Sequence, residues 1–309
     1  MILSPKLMDK QITPFIIKKS KRIYTLKLKI RGKGSIKFNL KKIITDDGNQ
    51  YKLIQANIFG IFTGGKNRIK KVIRNLNEYE SKSSVPNLKY FDSKTVVVEW
   101  IEGESITGNK KDEMTYQQLA KFNAENFINI KKIPLIKLIN ELTDKINLLL
   151  NLGSISQQTG TDLIALCKNT NFIGTDSFCD SLCFADTATK NYIKTLEKNP
   201  RLVYIDIFGI DRRLVSRVFA KQLIQTPIEF RKKYADIFLS TIPLQIESNL
   251  PLSYLDYLIT RIYSGVVKRN ILNRKKRKEK TEHAIYDLHS FIDATKNDLP
   301  LVDWIINNP

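Results

Sequence analysis

Histidine is nearly missing from this chain. There are two, His283 and His289, both near the C-terminal end. Ser-His-Asp and Cys-His hydrolases each need a positioned imidazole, so such chemistry would have to come from one Lys- and Arg-rich stretch. Cysteine is scarce too. Cys167, Cys179 and Cys183 are odd in number and irregularly spaced, which makes no disulfide framework and fits a reducing compartment. Cys179-x-x-x-Cys183 without a second pair is a poor zinc motif; small buried residues are the plainer reading. Long apolar runs are lacking, so no transmembrane helix is expected. Met1 to Lys10 lacks the apolar core of a signal peptide, and a cytoplasmic protein is expected. Acidic residues are the minority, 31 Asp+Glu against 51 Lys+Arg, for a net charge of +20. That excess points to an anionic partner: a phosphorylated sugar, an acidic lipid head group or, less favoured, nucleic acid. Biased base content yields the same Lys-, Ile- and Asn-rich composition, so total charge alone does not choose.

What is present is enough apolar material for a sizeable core. With 309 residues and 42% hydrophobic content, two lobes are expected. Up to about residue 101 the pattern is mainly β. Arg22 to Ile30 and Ser35 to Leu40 alternate apolar with polar residues, and Asp46-Asp-Gly48-Asn is a hairpin signal before Tyr51 to Ile54. A helix is expected from about Asn67 to Glu80, then an apolar strand at 95–101. From about 112 the period turns helical, over 114–130, 135–152 and 161–168, and again over 211–222, 226–240, 251–266 and 284–294. The run from Lys268 to Lys280 is strongly basic, either a solvated helix face or a contact for anionic lipid at the inner face of a membrane.

Between the two helical stretches lies Leu182-Cys-Phe-Ala-Asp186-Thr-Ala-Thr-Lys-Asn191, followed by Leu202-Val-Tyr-Ile-Asp206-Ile-Phe-Gly209. Residues 191–194 and 202–205 read as strands, and Glu197-Lys-Asn-Pro200 reads as the turn joining them. A hairpin closed about 198 and 199 sets Asn191 opposite Asp206, with Cβ atoms roughly 5 Å apart. A carboxylate and an amide oxygen at that spacing suit Mg²⁺.

These residues resemble the catalytic hairpin of the protein-kinase-like phosphotransferases, in particular the aminoglycoside phosphotransferase, choline kinase and lipopolysaccharide kinase group. The resemblance implies a bilobal α+β fold. A small antiparallel N-terminal lobe with one helix (1–101) is expected, then a larger, mainly helical C-terminal lobe (102–309) carrying the hairpin at about 182–209. It implies a catalytic Asp186, with Asn191 and Asp206 as Mg²⁺ ligands. Thr95 to Glu104 is similar to the linker whose backbone meets the adenine of ATP, which implicates Glu99, Trp100 and Ile101. Arg31-Gly32-Lys33-Gly34 is the candidate glycine loop and Lys52 the candidate phosphate-contacting lysine, with Ile54 two residues along as the other register. The implied activity is Mg²⁺-dependent transfer of the γ-phosphate of ATP to a hydroxyl of a small molecule or sugar. The Arg-rich stretch Arg212 to Arg217 resembles that of lipopolysaccharide core kinases and suits an anionic acceptor.

The chain departs from the pattern in three places. Phe184-Ala185 stand where His-Gly is usual, the glycine loop is thin, and the helix after Lys52 offers Ile69 where an acid is expected, with Glu78 near its end. A degenerate relative that only binds an anionic partner is the alternative. Gly60-Ile-Phe-Thr-Gly-Gly65-Lys66-Asn67 nearly matches a phosphate-binding loop. However, Asn67 replaces the hydroxyl that would bind Mg²⁺, and the alternating βαβ units such a fold needs do not follow.

Overall fold

A computed structural model of the chain describes residues 20–25, 38–62, 64–79, 83–106, 112–169, 177–267 and 274–307. The chain forms two compact units, one of residues 1–110 with 186–211, the other of 111–185 with 212–309. The hairpin at 186–211 therefore belongs to the β-rich unit by its packing.

In that unit, β1 (Ser20–Thr25), β2 (Phe38–Thr45), β3 (Gln50–Ala56), β4 (Leu88–Phe91) and β5 (Thr95–Glu99) form one sheet in the order β1-β2-β3-β5-β4. The described pairs are all antiparallel. The β2–β3 turn falls on Asp46 to Asn49, where Gly48 takes φ 83°, a left-handed conformation that glycine adopts without a Cβ clash. One face of the sheet buries Ile43, Leu53, Tyr90 and Val97. On the sheet lies α2 (Gly65–Glu78), after a short α1 (Ile58–Phe62). It buries Ile69, Val72 and Leu76, spaced three and four apart along one helical stripe. Each such side chain contributes roughly 1.5–3 kcal/mol of burial. Gly64, also at φ 83°, is the turn that starts this helix. With an antiparallel sheet around it, the segment 60–67 is a helix entry and not a phosphate-binding loop.

The smaller sheet of this unit has the order β10-β9-β6, from β6 (Gly103–Ser105), β9 (Tyr192–Thr195) and β10 (Leu202–Tyr204). Its register corrects the expected one by a single residue. Lys194 pairs with Leu202 and Tyr192 with Tyr204, so Asn191 meets Ile205, whose N–H donates to the Asn191 carbonyl at 2.8 Å. The cause is the turn. Arg201 donates from its N–H to Thr195 Oγ1 at 3.0 Å, and Thr195 N–H donates to the Arg201 carbonyl at 3.0 Å. The loop thus closes around residues 196–200 rather than on a two-residue tip. Gly103 is required by close approach: a Cβ there would lie 2.3 Å from the Lys194 carbonyl oxygen.

The second unit is mainly helical. It contains α3 (Glu113–Glu125), β7 (Ile128–Pro134), α4 (Leu135–Asn151), α5 (Gln157–Leu166) and β8 (Ser177–Phe184). After the hairpin come β11 (Ile210–Leu214), α6 (Val215–Gln225), α7 (Ile228–Thr241), α8 (Leu250–Val267), α9 (Arg274–Lys296) and α10 (Leu301–Asn307). Asp112 caps α3, its Oδ1 accepting from Thr115 N–H at 2.9 Å. Two helical expectations are shortened by strands. The helix expected to Ile130 ends at Glu125, where Asn126 turns its side-chain amide onto the Phe122 carbonyl at 2.7 Å. Ile128, Ile130 and Ile133 then alternate with polar residues along β7. The helix expected from 211 begins at Val215, because Ile210–Leu214 is a strand in the sheet ordered β11-β8-β7. Phe219 and Phe238 stack with ring centroids 4.5 Å apart, and Tyr254 meets Phe291 at 5.1 Å, in the core between helices. Of the stripe predicted for 284–294, Leu288 and Ile292 are buried and Ile285 is half-buried, with Ala284 and Phe291 buried beside them, while Lys278 to Lys280 face solvent. No described helix is long and apolar enough to cross a membrane.

Candidate active site

Strand β8 ends in the buried Phe184, whose ring stacks on Phe122 at 5.5 Å. The position at which the resemblance leads one to expect His is thus packed by an apolar ring. Asp186 follows two residues later and is half-buried. Its main-chain carbonyl oxygen accepts two hydrogen bonds, from Asn191 Nδ2 at 2.9 Å and from the Tyr204 hydroxyl at 2.9 Å. The spacing of five residues lets the Asn191 side chain close the loop it ends. Asn191 thereby both belongs to the candidate metal pair and fixes the backbone of Asp186. Tyr204 is buried and packs edge-on against Tyr192 at 5.2 Å. Burial pushes its phenol pKa up, with Asp206 the next cause, so it stays a donor.

Asp206 sits at the end of β10, where the chain bends into a single 3₁₀ turn, Ile207–Gly209. Gly209 N–H donates to the Asp206 carbonyl at 2.7 Å. A Cβ on Gly209 would lie 2.0 Å from the Tyr204 oxygen and 3.1 Å from Asp206 Oδ2, so glycine is needed here for space. Burial raises the Asp206 carboxyl above the ordinary carboxylate range, and the charge of Asp186 raises it further. Lys52, the Phe208 N–H and Arg68 pull it back. Two carboxylates in electrostatic range, one of them desolvated, are the arrangement a hard divalent cation relieves. The donor set therefore fits Mg²⁺. Among the described residues no group of three His, Cys, Asp or Glu gathers to hold a metal by itself. Burial raises the thiols of Cys167, to about 12, and of Cys179, against the thiolate a zinc site needs.

Lys52 lies on β3 opposite Lys42 and Val98, with its Nζ 3.5 Å from the Ile205 carbonyl oxygen. Burial lowers its pKa and the charge of Asp206 raises it. Ile54, the other register, is a core residue. Ile69, at the expected acid position, is fully buried. What α2 presents toward the residues after Asp206 is a different set, which sequence reading missed. The Arg68 guanidinium lies 5.0 Å over the Phe208 ring. Lys71 pairs with Asp211 at 2.5 Å, and the buried Asn75 donates from Nδ2 to the Ile210 carbonyl at 2.8 Å. Positions 68, 71 and 75 share one helical face. That spacing was the available signal.

At the end of β5, Glu99 Oε2 accepts from Asn87 Nδ2 at 2.7 Å, so its side chain serves the neighbouring turn. Glu99 N–H donates to the Asn87 carbonyl at 2.9 Å and Trp100 N–H to the Gln50 carbonyl at 3.1 Å. The Trp100 ring carries Lys42 Nζ at 4.3 Å. Ile101 is the next residue, and its N–H donates to no described backbone carbonyl. Gly32 and Gly34 lie outside the described residues.

No family model matches the sequence, and no curated protein matches it. Solved structures do. The chain superposes on a choline kinase from Cryptosporidium parvum Iowa II with a TM-score of 0.59 at 14% identity, over 96% of this chain and 96% of that one. Plasmodium vivax ethanolamine kinase gives 0.60 at 12%, over 91% and 86%. Macrolide 2'-phosphotransferase type I gives 0.59 at 10%, over 86% and 90%. The fold of this chain is that of the protein-kinase-like small-molecule phosphotransferases.

Proposed function

We propose that this protein is a kinase that moves the γ-phosphate of ATP to a hydroxyl of a small molecule or sugar, with Mg²⁺ held by Asp206 and Asn191. One observation carries the reading: Asn191 and Tyr204 both donate to the Asp186 carbonyl, Lys52 reaches the carbonyl of Ile205 beside Asp206, and the charges of Asp186 and Lys52 both act on the desolvated Asp206. The metal, when bound, neutralises charge on the phosphate oxygens. Lys52 adds a second positive group for them, and Ile101 N–H offers a donor to the adenine edge. Asp186, held at its carbonyl by Asn191 and Tyr204, orients the acceptor hydroxyl and takes its proton. The acceptor O–P bond forms as the bond from the γ-phosphorus to its bridging oxygen breaks, and that electron pair leaves on ADP. Positioning and charge neutralisation suffice for this chemistry, which agrees with a chain of two histidines.

The chain's charge and Arg212 to Arg217 favour an anionic acceptor such as a lipopolysaccharide core sugar. The exposed Lys278 and Lys280 favour a cytoplasmic enzyme that touches anionic lipid. A second reading, a kinase-like scaffold without turnover, is favoured by Ile69 in place of an acid on α2. Nucleotide-dependent thermal shift with and without Mg²⁺ separates the two. Wild type is expected to gain several degrees with Mg·ATP. Asp206→Ala should abolish that gain and turnover, and Asp186→Ala should keep the gain while losing about 10²–10⁴-fold in kcat. Absence of any Mg-dependent shift in wild type sinks the kinase reading.

A further inference from the structure

The helical unit contains a cavity of about 270 Å³, near the lower end of the roughly 300–1,000 Å³ typical of small-molecule sites. Four of the residues around it are cationic: Arg213, Arg217, Lys221 and Arg261. None is acidic. Arg217 and Lys221 are one turn apart on α6, and Arg261 faces them from α8, beside Tyr257, Thr260 and Ser264. The last three align with Arg261 at helical spacing, so α6 supplies cations and α8 supplies one cation with three hydroxyls. Buried Ser216 and Ser253 join the two helices through their hydroxyls at 2.5 Å.

Two carboxylates lie behind the cavity, each shared among several cations. Asp256 lies 2.9 Å from both Lys145 Nζ and Arg217 Nη1, one acid against two cations. Asp287 faces Arg261, His283 and Arg231. The cavity also adjoins the chemistry by covalent connection: Ala185 lines it, and Lys221 Nζ donates to the Ala185 carbonyl at 2.7 Å. Asp186 is the next residue. Arg212, which the sequence groups with its neighbours, points elsewhere, to Asp180 at 2.8 Å and the Asn129 carbonyl at 2.9 Å.

We infer that this cavity is the acceptor subsite and that it selects a small polyhydroxylated anion, gripping its phosphate or carboxylate through Arg213, Arg217, Lys221 and Arg261. The inference rests on the kinase reading above. Guanidinium forks match such groups bidentately, and the Tyr257, Thr260 and Ser264 hydroxyls suit the remaining sugar-like surface. Choline and ethanolamine, named for two kinases of similar fold, carry a positive nitrogen that these four cations repel. Fold is shared while acceptor charge is inverted.

Calorimetric titration of the full chain, without nucleotide, tests this with glucose 6-phosphate, gluconate, glucose and glucosamine. Both anions are expected to bind, with glucose at least about tenfold weaker and glucosamine undetectable. Arg213→Ala, at an exposed position, and Arg261→Gln are each expected to raise the Kd for glucose 6-phosphate about tenfold. Both should keep the Mg·ATP thermal shift. Vesicles bearing a phosphorylated glycolipid form the second arm. Binding to vesicles but not to the soluble sugars assigns the anion to a lipid head group, and the converse assigns it to a free metabolite. Preference for glucosamine, or unchanged affinity in both variants, overturns the inference. Loss of the Mg·ATP shift in wild type would overturn the kinase reading alone, since the anion titration contains no nucleotide.

Discussion

Two regions of this molecule concentrate charge of opposite sign. In the β-rich unit, Asp186 and Asp206 share a partly buried space with Lys52 and Arg68 as the cations that act on Asp206. In the helical unit, four cations surround a cavity with no carboxylate among the described residues that line it. Like charges crowded at low dielectric repel, which costs free energy in the absence of a counter-ion. Under the function proposed above, the first cluster would receive a metal ion and phosphates and the second an anion. The contrast also shows how each unit is held. The carboxylate site is built from main-chain geometry, in which a hairpin, a 3₁₀ turn and two hydrogen bonds onto one carbonyl fix the acids. The cationic site is built from side chains on β11 and two helices.

Asp256 offers the strongest way to break this comparison. It is 1% exposed and neutralises Lys145 and Arg217. Asp256→Ala leaves both cations without it and is expected to cost about 3–5 kcal/mol of stability, measured by denaturant unfolding. In the folded fraction, affinity for inorganic phosphate should rise, since the cavity loses its nearest negative charge. A fall in affinity would mean that Asp256 orients Arg217 rather than balances it.

A smaller effect sharpens the other side. Tyr204→Phe removes the hydroxyl that donates to the Asp186 carbonyl at 2.9 Å. About 1 kcal/mol of stability should be lost, with a several-fold fall in kcat and little change in nucleotide affinity. Equal losses in kcat and in Mg·ATP binding would show that the hydroxyl supports the whole hairpin rather than Asp186. The smallest effect is expected at Lys278 and Glu282, an exposed helix pair at 3.8 Å. Lys278→Ala should change stability by no more than about 0.5 kcal/mol and leave glucose 6-phosphate binding unaltered. A marked loss of binding would move the anion site from the cavity to this basic helix.

Much of the candidate site was legible in the chain because its residues are close in sequence. Asp186 and Asn191 are five residues apart, and Asp206 ends an apolar run whose strand character is plain. The pairing was less legible. Register depends on how a turn closes, and the Thr195–Arg201 hydrogen bonds shifted it by one residue from the symmetric guess. The helices were legible by period, yet β7 and β11 were read as helix ends. So few apolar residues set no clear period, and pairing with β8 decided the matter. The face of α2 that contacts the residues after Asp206, and the cavity between α6 and α8, were hidden because they join residues far apart in the chain.

The sequence by itself determined the order of parts: a β-rich start with one long helix, an apolar strand running into Glu102-Gly103, a loop from Asp186 to Asn191 closed by Asp206, and helices after it. Those follow from local period, turn chemistry and the reach of short side chains. Only the tertiary structure decided that Lys52 rather than Ile54 faces Asp206, that Arg212 is committed to Asp180, and that Arg217, Lys221 and Arg261 meet. Such decisions depend on strand register and helix packing, which are set by the burial of distant apolar faces rather than by any residue's neighbours in the chain.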